Sequence, residues 1–161
     1  MRAKGAAASR LAAGPLGALD PGRSKCGLVR CDAAAQRILA AGVLEPERCQ
    51  QLLRQWQQQG LITGVVLGDG TGSGAWRQQL ADLHLPMQLV PEAGSTLAAR
   101  QRYWQLEPPR GWRRLLPEGL RLPPRDVDDV VAQLLLERTL GRSLQRRDTE
   151  WLPRLRTSPA P

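Results

Sequence analysis

The sequence is short of several residue types. It has no phenylalanine, one tyrosine, one histidine, and only Lys4 and Lys25 as lysines. With His84 alone, histidine-rich metal centres are excluded and a Ser-His-Asp triad is a poor reading. His84 lies between Leu83 and Leu85, which suggests a half-buried packing histidine. The three cysteines, Cys26, Cys31 and Cys49, are odd in number and lack metal-ligand spacing. Cys26 and Cys31 are five positions apart, so on one strand they face opposite sides, and all three read as free thiols of a reducing cytoplasm. No apolar run approaches the length of a membrane span.

What is present is arginine. The 23 basic residues outnumber 15 acids for a formal charge of +8. This balance favours an acidic partner such as nucleic acid, with more weight on clustered arginines than on scattered ones, which a GC-rich coding sequence also writes. The 161 residues suffice for one domain. Residues 1–14, basic and Ala-rich, read as a disordered leader. Residues 15–142 read as the folded domain, and residues 143–161 as a flexible tail ending in RTSPAP.

Apolar patterning predicts strands in LGALD, KCGLVRCD and QRILAAGVL, close enough for an antiparallel meander. A helix opening at EPERCQQ and closing on Gly60 follows. Strand LITGVVLGDG, helix AWRQQLADLHL, strand MQLVPE and helix STLAARQRYWQL come next, with Ser95 as a candidate N-cap. After a connector rich in Pro, Arg and Trp, DVDDVVAQLLLERTLG forms the last helix, capped by Gly141. Three meandering strands followed by βα units imply an α/β fold, a mixed sheet with helices on its faces.

Acids recur where such sheets place ligands, beyond the carboxyl ends of the strands: Asp20, Asp69 and Glu92, with Asp126, Asp128 and Asp129 opening the last helix. Acids gathered at one sheet edge repel one another unless cations lie between them, and oxygen-only ligands favour Mg²⁺ or Mn²⁺. Two such ions can clamp the attacking and leaving oxygens of a phosphodiester.

LGALDPGRSKCGLVRCD is similar to the first strand and hairpin of the YqgF-type nucleases. These are the RuvC-like Holliday-junction-resolvase family within the ribonuclease H-like fold. LVPEAGSTLAAR resembles that family's strand ending in Asp-Glu, and VDDVVAQLLLERTL its last helix. ARQRYWQ and PPRGWRRLLP look like the cyanobacterial branch. The order fits from Leu16 to about Leu140, although Pro91 stands where the family has Asp, Ser95 where it has Thr, and GDGTGSG replaces the usual Leu-Pro stretch. The resemblance implies a ribonuclease H-like mixed sheet and a metal-dependent nuclease cutting DNA junctions or trimming precursor ribosomal RNA. It implies Mg²⁺ or Mn²⁺ held by Asp20, Glu92 and Asp128, with Asp69 and Asp129 as alternates. The protein would then be cytoplasmic, off the membrane, and a monomer or homodimer.

The last helix supports Asp128 independently. Val127, Val130, Val131, Leu134 and Leu135 form an apolar stripe with Asp128 at its edge, whereas Asp129 lies nearly opposite, where water is expected. Asp126 is the candidate N-cap. Lys25, Arg100, Arg102, Arg113, Arg114 and Arg125 are candidate phosphate contacts, with Tyr103, Trp104 and Trp112 interleaved to stack on unpaired bases or to pack inward. Two other readings compete. One is a nucleic-acid-binding module of the same fold with weakened catalysis. The other is a nucleotide or S-adenosylmethionine enzyme using the loop Gly68 to Gly74, with Glu92 on the ribose.

Overall fold

The computed structural model describes residue 11 and residues 14–153. Six strands form one mixed sheet: β1 (Leu16–Asp20), β2 (Cys26–Cys31), β3 (Arg37–Leu44), β4 (Gly64–Gly68), β5 (Met87–Val90) and β6 (Gln145–Trp151). Their order is β5-β4-β1-β2-β3-β6. β1, β2 and β3 form the antiparallel meander, while β4 runs parallel to β1, β5 to β4, and β6 to β3. β1 and β4 are central and buried on both faces, which is why they read as unbroken apolar runs.

Helices cover both faces, as the sequence implies. α1 (Pro46–Gln58) and α2 (Ser73–Gln79) lie on one, α3 (Ser95–Leu106) and α4 (Asp128–Leu140) on the other. Period-2 alternation sorts the side chains. Leu16, Ala18, Val29 and Cys31 face α4, whereas Leu19, Cys26, Leu28 and Leu67 face α1. The two strand cysteines therefore face opposite cores as expected, and with Cys49 they are free and buried.

Several local expectations are corrected. β6 lies within the stretch expected to be a flexible tail, and RTSPAP and most of the leader fall outside the described residues. Leu11 and Gly14, within the expected leader, are buried. Gly94, in the left-handed region at φ 72°, caps α3 in place of Ser95, and Val127 precedes α4 in place of Asp126. His84 is exposed, ending a single 3-10 turn at φ 52°. Gly141 ends α4 at φ 67°, the conformation its position demands.

β6 escapes sequence reading because it is an edge strand of polar residues, QRRDTEW, with no apolar alternation. A polar stripe on α4 holds it. Asp129, Gln133 and Glu137 recur at i, i+4 and i+8, and all three are buried. Glu137 accepts from Leu144 N at 2.6 Å, and Gln133 donates to Leu144 O at 3.1 Å. Arg146 of β6 donates to Gln133 Oε1 at 2.7 Å and to Asp129 Oδ2 at 2.8 Å.

Candidate functional site

Asp20 ends β1 with its side chain on the α4 face, in phase with Leu16 and Ala18. Its two strand neighbours at this level are glycines. Gly27 is its partner on β2, and Gly68 follows Leu67, the β4 partner of Leu19. Both glycines are required by what lies over them. A Cβ on Gly27 would collide with the backbone carbonyl of Asp128, and one on Gly68 with the carboxylate of Glu92. The missing side chains let the first turn of α4 and the Glu92 side chain settle onto the sheet on either side of Asp20. Three acids from separate segments are thereby brought to one end of the central strand.

The loop after β4 completes the cradle. Asp69 Oδ1 accepts from Glu92 N at 3.0 Å, fixing the Glu92 backbone, and a Cβ on Gly70 would also strike the Glu92 carboxylate. Pro91 O accepts from Arg138 Nη1 at 3.1 Å, tying the same turn to α4. GDG is thus filled by a side chain of the protein itself. The geometry disfavours a phosphate-binding loop, and α2 behind it spans only seven residues. Asp69 is exposed and orients Glu92 through its backbone.

The electrostatics of the cluster are those of like charges pressed together. The Asp20 carboxyl is pushed up to about 8, first by burial and then by the charges of Glu92 and Asp128 and a hydrogen bond with Glu92. Burial also raises Asp128, against the opposing pull of Lys25. Glu92 Oε1 is buried with no hydrogen-bond partner. Among the described residues, no arginine or lysine forms an ion pair with Asp20, Glu92 or Asp128. No three Cys, His, Asp or Glu groups among those residues are gathered to hold an ion as they stand. The donor set nevertheless fits a hard divalent cation. It is oxygen-only, it includes an unsatisfied buried oxygen, and its charge lacks a matching cation.

Asp129 corrects the reading of the last helix. It is fully buried, and Arg125 and Arg146 each approach it at 2.8 Å. The apolar stripe alone suggests that the opposite side of α4 is wet, but there Asp129 is covered by Arg146 of β6 and by Arg125, which precedes the helix. The i, i+4, i+8 spacing of Asp129, Gln133 and Glu137 is the signal that could have found it.

The basic candidates divide. Arg102 pairs with Glu137 at 3.0 Å and donates to Leu144 O at 3.0 Å. Arg125 pairs with Asp129 and Glu107 and lies over the rings of Tyr103 and Trp151, at 5.1 and 4.8 Å. Both are occupied inside the protein. Lys25 bonds Asp126 at 2.6 Å, joining the β1–β2 turn to the entrance of α4. Arg100 and Arg114 are exposed, and Arg113 lies 4.9 Å over the ring of Trp112. Tyr103 is buried, Trp104 is half-buried, and Trp112 is exposed.

The strand order, the mixed pairing and the helices on both faces define a ribonuclease H-like α/β fold. Among solved structures, the chain is similar to RuvC of Thermus thermophilus in complex with a Holliday junction substrate. That similarity has a TM-score of 0.50 and 17% identity, over 80% of this chain and 94% of the other. A second Thermus thermophilus RuvC structure aligns at a TM-score of 0.42 and 15% identity, over 79% and 95%. What is shared at this identity is the fold. No protein-family model matches the chain, and no curated protein sequence matches it.

Proposed function

We propose that this protein is a divalent-metal-dependent nuclease that hydrolyses phosphodiester bonds in structured nucleic acid, in the manner of YqgF-type, RuvC-like enzymes. One observation carries the reading: Asp20, Glu92 and Asp128 converge on the end of β1, cradled by Gly27 and Gly68. Acids that only stabilise a fold are paired with internal cations, as Asp129 and Glu137 are. This group is not.

Asp20, Glu92 and Asp128 would hold Mg²⁺ or Mn²⁺. The bound cation would activate water and neutralise charge developing on the phosphodiester. The chain's own residues supply the geometry. Asp69 fixes the Glu92 backbone, Lys25–Asp126 fixes the entrance of α4, and the glycines set the spacing. A four-way DNA junction and a structured precursor ribosomal RNA are the substrates to compare. Cleavage of either is expected with Mg²⁺ or Mn²⁺, with loss in excess chelator and a fall of at least about a hundredfold in Asp20→Asn. Unchanged cleavage in that variant would overturn the assignment. Metal-independent binding without cleavage would favour a nucleic-acid-binding module instead.

A further inference from the structure

Apolar side chains are unusually exposed on one surface, the connector between α3 and α4. Trp112 is 63% exposed, Leu115 87%, Leu120 67% and Leu122 63%, and Leu97 of α3, beside Leu122, is 64% exposed. An apolar patch of this kind on a soluble chain marks a contact surface. The connector is also held in shape. Arg121 donates to the carbonyls of Arg113, Leu116 and Arg114 at 3.0, 2.9 and 3.2 Å, and its own carbonyl accepts from Trp104 Nε1 at 3.0 Å.

Two clefts flank Trp104. One, of about 250 Å³, is lined by Leu97, Arg100 and Leu122 among others; the second, of about 430 Å³, includes Arg110 and Arg113. The charge around the patch is predominantly basic. Arg100, Arg110, Arg113 and Arg114 surround it, against one glutamate in each cleft, Glu118 in the smaller and Glu107 in the larger, and Glu107 is already paired with Arg125. A basic rim disfavours a second copy of the same surface, and it suits an anionic partner that also carries flat apolar faces. Unpaired nucleotides have both properties, phosphates for the arginines and base faces for Trp112 and the clefts. The stacking of Arg113 over Trp112 leaves the tryptophan part of a mixed guanidinium–aromatic platform.

We infer that the α3–α4 connector binds unpaired nucleotides, so that the substrate of this protein contains single-stranded or splayed bases. This rests on the nuclease reading for its biological setting, but binding is measured without cleavage and stands apart from it. The test is fluorescence anisotropy of a labelled oligothymidylate and a blunt duplex of equal length, in chelator, with the full chain and its variants. Trp112→Ala should weaken oligothymidylate binding by about 5- to 100-fold and duplex binding by less than about twofold. Arg113→Ala with Arg114→Ala should flatten the salt dependence on the single strand by about 1.4 logarithmic units per decade, at about 0.7 per phosphate contact. Equal effects of Trp112→Ala on both ligands, or none on either, would overturn the inference. So would sedimentation showing a dimer that Leu115→Asp converts to monomer, since the surface would then serve self-association. Cleavage that fails while Trp112-dependent binding persists would remove the nuclease reading and leave this inference intact.

Discussion

Two groups of acids, one buried along α4 and one half-buried at the end of β1, differ in what balances them. Asp129 and Glu137 face inward onto Arg125, Arg146 and Arg102 within 3.0 Å. Asp20 lies beside Glu92 and Asp128, and burial and their charges raise its carboxyl; Lys25 opposes the rise at Asp128 without an ion pair to it. Adjacent residues, Asp128 and Asp129, thus belong to different chemistries. The first group is paired charge to charge, although Arg146 Nη2 has no hydrogen-bond partner, and it helps fasten β6 to the fold. The second has no ion-pair partner among the described residues, and the proposed cation would supply one.

The comparison breaks most severely at Asp129. Asp129→Ala leaves two arginines partly buried without their carboxylate and should cost about 3–5 kcal/mol in urea unfolding. A cost below about 1 kcal/mol would return Asp129 to the wet face that helical periodicity assigns it.

The acidic cluster should behave oppositely. Asp20 holds its proton in the folded state up to a pH of about 8, whereas the unfolded chain releases it near 3.8. Between those values the folded state binds more protons, so stability falls as pH rises. Because Asp20 is only partly buried, the loss in metal-free protein from pH 4 to 8 should be about 2–3 kcal/mol rather than the full shift. Asp20→Asn should remove most of it, as denaturation at several pH values would measure.

The glycine cradle gives the smaller and more selective effects. Gly27→Ala drives a methyl group into the Asp128 backbone, which cannot yield by a rotamer change, and should cost about 1–3 kcal/mol. Gly68→Ala meets only the end of the flexible Glu92 side chain, so it should cost less than about 1 kcal/mol. Divalent-cation affinity should nevertheless fall, because Glu92 is displaced. Calorimetric melting and Mn²⁺ titration of both variants separate the two roles. Equal stability losses would mean that the glycines are interchangeable packing.

Much of this was legible in the sequence, for physical reasons that also explain the misses. β1 and β4 are buried on both faces and announce themselves as apolar runs ending in acid or glycine. The meander was visible because PG and short polar turns separate β-type segments. β6 was hidden because main-chain pairing with β3 and side-chain bonds from Arg146 to Gln133 and Asp129 hold it, and neither leaves a hydrophobic period. Glu137 and Asp129 drew Arg102 and Arg125 inward, so a linear cluster of arginines overstated the basic surface. Gly27 could not be picked out, since its importance depends on a backbone about a hundred residues away that only the fold brings over it.

The central claim is that Asp20, Glu92 and Asp128 form a divalent-cation site, and thermal melting at pH 8 in Mn²⁺ or in excess chelator tests it most directly. For the wild-type protein, Mn²⁺ should raise Tm saturably by about 5 °C or more, because a ligand bound only by the folded state stabilises it. Asp20→Asn should melt above the wild type in chelator and gain nothing from Mn²⁺. A wild type indifferent to Mn²⁺, or a variant shifted as far as the wild type, would contradict the account.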